Sequence, residues 1–327
     1  MASEMEESYR SFVDVFCPTL YCSTIVLQSI LLYFILFRSS GKMGIFRYIL
    51  GHTSVCQLIL LTIVCFSQFR MISNQVPIEV RSYGPFRFFG SFISYSLHQA
   101  FQFWLFMSGM SIVVTLYFKL MTFSWRRMSK LGMVMIFFVF HIPVMISMGL
   151  EIFLVYTVAF PKDIQDYYTN LNVGNSVYHV IGTMKLQTAS LTNFLIMVGS
   201  VFVYPLAAGI IRWRILKHLE HHLNNFSAHN KAQHRSFVKG LTIQSVLPFL
   251  TYFPTFAMYV FIVLTRTEIL FQQYFIYIMP TFPAFCDPFV TLYFVVPYRK
   301  TWQRWLGIEK DIQVAPSSVS ANITTVQ

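Results

Sequence analysis

Apolar runs of about twenty residues recur along the chain, and short stretches with polar and charged residues separate them. A helix of about twenty residues crosses the hydrocarbon core of a bilayer. Because lipid offers the backbone no hydrogen-bond partners, each run is predicted to be helical, which gives an all-α membrane protein with a seven-helix bundle. The seven predicted spans are Val15–Phe37, Tyr48–Phe69, Tyr95–Phe118, Leu131–Thr157, Ser190–Ile211, Leu241–Leu264 and Phe271–Val296.

Composition supports lipid as the main solvent, since 55% of the residues are hydrophobic and only 11% are charged. The net charge of +11 does not indicate a nucleic-acid partner, because the basic residues lie between the apolar runs and not on a soluble face. The five cysteines lie in or beside apolar runs, and their spacing indicates neither a disulfide framework nor a zinc site.

Most lysines and arginines fall on one side of the membrane if the N-terminus is outside, and the positive-inside rule makes that side cytoplasmic. We therefore expect a multi-pass plasma-membrane protein with residues 1–11 outside and the bundle at residues 12–307. A disordered cytoplasmic tail is expected at 308–327, which is polar and rich in serine and threonine. Two glycosylation sequons, at Asn225 and Asn322, fall on the cytoplasmic side and are expected to stay unmodified.

One carboxylate, Asp287, lies deep in span seven and is followed by Pro288. At about 1.5 Å per residue, it lies at the same membrane level as Gln28 of span one and Gln57 of span two. Pro288 also frees a carbonyl about four residues upstream. We interpret these four residues as a switch whose hydrogen bonds can rearrange. The alternative is a protonated, hydrogen-bonded packing group.

Beyond span seven, Pro297 is predicted to end the helix, and Tyr298 to Leu306 to form a short helix along the membrane surface. Trp302 and Trp305 share one face of that helix, as expected for an interfacial segment. An ordinary aromatic belt would give the same pattern.

The acidic start of the chain and several motifs late in the sequence occur together. The motifs are Gln244 and Pro248 in span six, Asp287-Pro288 in span seven, and Pro297-Tyr298-Arg299 at its end. With seven spans, this set resembles the nematode serpentine chemoreceptors of the Str superfamily, class delta or a neighbouring class. The resemblance implies a G-protein-coupled receptor in the cilia of chemosensory neurons. It also implies an odorant or pheromone ligand, a heterotrimeric G-protein partner and no cofactor.

Two features depart from the broader rhodopsin-like pattern. Span three ends in Tyr117-Phe118-Lys119-Leu120, without an acid–arginine pair, and no cysteine occurs between Glu151 and Phe285. The usual bridge between span three and the second outer loop therefore cannot form. A rhodopsin-type switch is not carried over to this chain.

A small-molecule site in a helical bundle is expected between helices, with apolar walls and a few convergent polar groups. Glu151 is the one acid available there for an amine ligand, so neutral or weakly polar odorants are favoured. Taken singly, each candidate also fits an interhelical hydrogen bond or core filler. The candidates are His98, Gln102, Asn193, Phe256, Tyr259, Gln273, Tyr274 and Tyr277.

Basic residues in the second cytoplasmic loop and on both sides of the third form the predicted G-protein face. Anionic membrane lipid would bind the same residues, and the orientation rule alone accounts for much of this charge. The predicted contacts are Arg126, Arg127, Lys130, Arg212, Arg214, Lys217 and Lys239.

Two other classes remain open from sequence. His218, His221 and His222 match the HxxHH box of membrane di-iron desaturases and hydroxylases, but such a centre needs ligands from several loops and no second box is present. A ligand-gated channel of seven-helix subunits is the other alternative, although no ring of charges or carbonyl-rich filter is visible. A receptor without catalytic residues or a bound metal is the preferred interpretation.

Overall fold

A computed structural model describes residues 2–39, 46–72, 78–123, 130–157, 179–184, 188–223, 228–265, 267 and 269–307. The first six helices are α1 (Ala2–Phe37), α2 (Phe46–Ser67), α3 (Ser91–Phe123), α4 (Lys130–Thr157), α5 (Thr188–Leu223) and α6 (Ala228–Thr265). After them come α7 (Leu270–Ile278), a 3-10 turn (Met279–Thr281), α8 (Phe282–Phe294) and α9 (Val296–Trp305). The predicted tail and the residues Arg126, Arg127, Asn225 and Asn322 lie outside the described ranges.

Helix occurs at each of the seven predicted spans, with α7 and α8 together forming the seventh. Within the described residues, five stretches are long and apolar enough to cross a membrane. They are Glu4–Phe37, Arg47–Ser67, Phe92–Phe118, Leu131–Val155 and Leu270–Phe294. Shorter apolar stretches, Leu191–Ser200 and Phe249–Ile262, lie within α5 and α6.

The first helix is longer than predicted, since it begins at Ala2 and not near Val15. Its 36 residues extend over roughly 54 Å, well beyond the ~30 Å of a hydrocarbon core. The expected outer segment is thus a helical extension of α1. Aromatic contacts hold it against α7, because Tyr9 stacks on Tyr274 and Phe12 on Phe275.

Span seven was predicted as one kinked helix, and the structure interrupts it instead. Pro280 lies in the 3-10 turn and Pro283 in the first turn of α8, where the missing N–H costs no helical bond. Pro288 stays inside α8 as predicted. The prediction for Pro297 was wrong: α8 ends at Phe294, and Pro297 lies in the first turn of α9.

A three-stranded antiparallel sheet was not predicted. Strands β1 (Phe69–Ile72) and β2 (Ile78–Ser82) follow α2, and β3 (His179–Met184), from the connection before α5, pairs with β2. Phe69, predicted to end span two, therefore begins a strand. We call this side of the bundle the sheet end and the opposite side the α9 end.

The bundle buries polar and apolar side chains together, and its outer faces are apolar. On α4, Val144 and Ser147 are buried, whereas Phe138, Ile142 and Ile146 are exposed. An apolar face turned away from the protein is what lipid contact requires. Three cores fill the interior, near the sheet end, between α3, α4 and α5, and beneath α9.

Candidate ligand site and its polar network

Three of the predicted ligand residues, His98 and Gln102 on α3 and Tyr277 on α7, are joined in series by polar contacts. His98 Nε2 lies 3.3 Å from the Tyr277 hydroxyl, and Gln102 Nε2 lies 3.5 Å from His98 Nδ1. Phe69 of β1 and Phe101 of α3 pack against the rings of His98 and Tyr277. His98 and Gln102 are one turn apart on α3, so the spacing in the sequence places them on one face.

The network continues from Gln102 to α5 and α4. The Asn193 amide donates to Gln102 Oε1 and to Glu151 Oε1, at 3.3 Å in each case. Ser147 donates to the same Glu151 oxygen at 3.1 Å, and its oxygen lies 2.6 Å from Asn193 Oδ1. A continuous chain of polar contacts thus joins four helices, α4, α5, α3 and α7.

An apolar pocket adjoins this network on the side facing the α9 end. Met197 lies one turn beyond Asn193 on α5, and Phe106 lies one turn beyond Gln102 on α3. The pocket therefore has apolar walls and a polar border, as is usual for small-molecule sites. Its lining residues are Leu105, Phe106, Gly109, Met197, Ser200, Tyr252 and Phe256.

The remaining predicted ligand residues divide between two places. Phe256 lines the pocket, and Tyr259 lies one turn away on α6 with its ring 5.6 Å from that of Phe194. Gln273 and Tyr274 are buried at the sheet end, where they contact a different group. The eight predicted residues thus do not surround one site.

The group that Gln273 and Tyr274 contact is the guanidinium of Arg70 on β1, a residue that is only 5% exposed. Its Nε donates to Gln273 Oε1 at 3.0 Å, and its Nη1 donates to the Tyr83 hydroxyl at 3.1 Å and to the Glu6 carboxylate of α1. The guanidinium carbon lies 5.0 Å from the centre of the Tyr274 ring. Burial is the largest single influence and opposes the charged form, but the hydrogen bond to Glu6 and the electrostatic interactions with Tyr83, Tyr274 and Glu6 together outweigh it, so the pKa of Arg70 is raised above its ordinary value.

The predicted glutamines of the switch contact each other. Gln28 Nε2 donates to Gln57 Oε1 at 3.0 Å and to the carbonyl oxygen of Ala284 at 2.7 Å, and Ser54 donates to Gln28 Oε1 at 2.7 Å. Ala284 is four residues before Pro288, so its carbonyl is the one that the proline leaves without a helical donor. Gln28 supplies the missing hydrogen bond.

Asp287 follows this cluster on α8. It was predicted to lie deep in the span, but its side chain is only half-buried. It is three residues from Ala284, which turns it by about 60° around α8. There it lies within electrostatic range of Tyr252 on α6. The deeply buried acid of the described spans is Glu151, which is 2% exposed.

The predicted G-protein residues that are described lie on α5 and α6, toward the α9 end. Arg212 Nε donates to Thr242 Oγ1 at 3.1 Å and so joins the two helices. Arg214, Lys217 and Lys239 are exposed. Lys130 begins α4, but its side chain is not described, and the same holds for the histidine box in α5.

Comparison with known proteins identifies the fold and the family. The family model described as "Serpentine type 7TM GPCR chemoreceptor Srd" matches residues 13–304. The chain belongs to this serpentine receptor family. It is 40% identical to serpentine receptor class delta-40 of Caenorhabditis elegans, over 94% of this chain and 97% of that protein. It is 33% identical to serpentine receptor class delta-44 of the same organism, over 96% of this chain and 99% of that protein.

Membership of this Srd receptor family confirms the seven-helix membrane fold and the class predicted from the late motifs. It is a family of chemoreceptors and not of enzymes. In this receptor Tyr298, the centre of the Pro-Tyr-Arg motif, is fully buried, and its hydroxyl lies 2.7 Å from that of Ser39. Trp302 donates to the Leu292 carbonyl at 3.2 Å. Tyr298, whose ring also packs on Phe34 of α1, and Trp302 thus hold α9 against α1 and α8.

Two features of the receptor site were missed from sequence: the pairing of Ser147 with Glu151, which had been noted only as an available acid, and the buried Arg70. Ser147 and Glu151 are four residues apart, a spacing that places both on one face of α4 and could have shown them as a polar pair. Arg70 gave no such signal, because its partners come from distant parts of the chain and one of them precedes the first predicted span.

Proposed function

We propose that this serpentine receptor binds a small odorant or pheromone in the pocket between α3, α5 and α6, and activates a heterotrimeric G protein. The polar network along the pocket border carries the proposal. Gln102 and Asn193 offer hydrogen-bonding groups one helical turn from residues that line an apolar pocket. A ligand that bonds to either amide would change the contacts of all four helices of the network.

The sheet end is proposed to face outside and the α9 end the cytoplasm, with the receptor in the plasma membrane of sensory cilia. The basic residues Arg212, Arg214, Lys217 and Lys239 then lie on the G-protein side, together with Arg126, Arg127 and Lys130. Anionic lipid of the inner leaflet would contact the same residues when no G protein is bound.

The cluster of Gln28, Gln57 and Ala284 is proposed to be the switch between pocket and G protein, with Asp287 and Pro288 beside it. The Gln57 Nε2 atom is buried and has no acceptor among the described residues. A donor without a partner is available to a second arrangement of the cluster, in which α8 shifts relative to α2. Asp287→Ala is expected to reach the cell surface without signalling.

The test is a reporter cell that expresses the receptor and is exposed to a panel of volatile and pheromone-like compounds, with and without G-protein inhibition. Asn193→Ala should lower the potency of an active compound about tenfold, because it removes hydrogen bonds at the pocket border. Leu195→Ala is the matched control, since Leu195 lies on α5 but is 60% exposed. Equal potency in both variants would place the ligand elsewhere. A current that persists under inhibition would indicate a channel.

A further inference from the structure

Arg70 is a buried cation whose one carboxylate partner among the described residues comes from the exposed start of α1. We propose that Arg70 is the recognition group for small carboxylate ligands, and that Glu6 is a built-in competitor which such a ligand displaces. The receptor would then sense acidic small molecules. This site is separate from the pocket between α3, α5 and α6, and it rests on the proposed function only for the signalling that follows binding.

The guanidinium is held in a fixed position before any ligand arrives. Gln273 on α7 binds Nε, the Tyr83 hydroxyl binds Nη1, and the Tyr274 ring packs against the guanidinium. Gln273 and Tyr83 are themselves buried, so the position of the guanidinium does not depend on Glu6. A planar guanidinium in a fixed position matches the two oxygens of a carboxylate.

An additional donor lies at the same place. Tyr274 is 3% exposed, and its hydroxyl has no hydrogen-bond partner among the described residues. A buried hydroxyl without a partner costs free energy, which a ligand oxygen within reach would recover. Arg70 and Tyr274 together can therefore hold a carboxylate more completely than the Glu6 contact does.

Glu6 is the exchangeable member of the pair. Its side chain is 45% exposed, whereas that of Arg70 is 6% exposed, and it lies in the second turn of a helix that starts at Ala2. Helix ends open locally at little cost in free energy. The other local contact of this turn, Tyr9 stacked on Tyr274, would separate in the same movement.

The neighbouring charges favour an anion at this place. Arg10 and Arg81 lie within electrostatic range of Glu6 in addition to Arg70. Asp14 approaches Arg10 at 4.0 Å, but both of these side chains are about half exposed to solvent, which weakens the pair. An incoming carboxylate therefore meets a region that already stabilises a negative charge.

The test uses the purified full-length receptor and measures the thermal shift produced by butanoate, with butanamide as the neutral probe of the same size and chloride as the salt control. Butanoate should raise the melting temperature of the wild type, and butanamide and chloride should not. In Glu6→Gln the competitor is lost while the shape is kept, so the apparent affinity for butanoate should rise about tenfold.

Arg70→Lys is the second variant, because lysine keeps the positive charge but lacks the planar fork of donors. It should lose most of the butanoate shift. Equal shifts by butanoate and butanamide in Glu6→Gln would overturn the proposal, as would equal butanoate shifts in Glu6→Gln and Arg70→Lys. Since binding is measured without a G protein, butanoate binding combined with absent signalling would refute the proposed coupling and leave the carboxylate site intact.

Discussion

Replacing Gln28 by methionine tests the cluster between α1, α2 and α8. Gln28 is fully buried and takes part in three hydrogen bonds of 2.7 to 3.0 Å. Polar contacts between membrane helices contribute about 0.6 kcal/mol each, so the three together contribute about 2 kcal/mol. The Ala284 carbonyl is then left without a donor because Pro288 has no N–H, which adds about 1 kcal/mol or more. We expect a total loss of about 3 kcal/mol.

The assay is thermal unfolding of the purified receptor, followed with a thiol-reactive dye that labels Cys17, Cys56 and Cys65 as they leave the protein interior. At about 2–4 °C per kcal/mol, the melting temperature of Gln28→Met should fall by about 6–12 °C. The matched control is Ser29→Ala, since Ser29 is the next residue of α1 and is exposed. A melting temperature of Gln28→Met equal to that of the control would refute the reasoning.

Two further substitutions concern the α9 end. In Gly240→Ala the new methyl would lie 2.5 Å from the Phe294 Cβ, so α6 and α8 must separate. We expect a lower melting temperature and higher basal signalling in the reporter cell. Adding Phe294→Gly, which removes that Cβ, should return basal signalling to the wild-type level. No change in either measurement would show that the helices are already apart. In Tyr298→Phe the hydrogen bond to Ser39 is lost, which should lower the free energy of unfolding by about 1 kcal/mol. Ser39→Ala removes the same bond and should lower it by the same amount. The double variant should be no less stable than either single variant.

The helices could be predicted because about twenty apolar residues in a row leave few alternatives in lipid. The break at Pro280 could not, because a proline within a span is compatible with both a kink and an interruption. The sheet was missed for a different reason. Its strands have four to six residues, and β2 pairs with a strand about 100 positions away in the sequence, so no local pattern indicates the pairing.

The candidate site, like the fold, could be predicted from sequence only in part. Helical spacing correctly placed His98 beside Gln102, and the shared depth of Gln28 and Gln57 is matched by their contact. Their roles in ligand binding and switching stay predictions. The role of Arg70 could not be predicted from sequence, because a count of charges does not show that one of them is buried with its own carboxylate.

The sheet also has a practical consequence for handling the protein. Two connections of the chain, one after α2 and one before α5, are joined here by backbone hydrogen bonds between β2 and β3. The sequence offers no cysteine between Glu151 and Phe285 that could join them covalently. Reducing agents should therefore leave this ladder intact, whereas a denaturant or a proline placed within β2 should release it. Amide hydrogen exchange along β3, which pairs with β2 at the edge of this sheet, would report the difference.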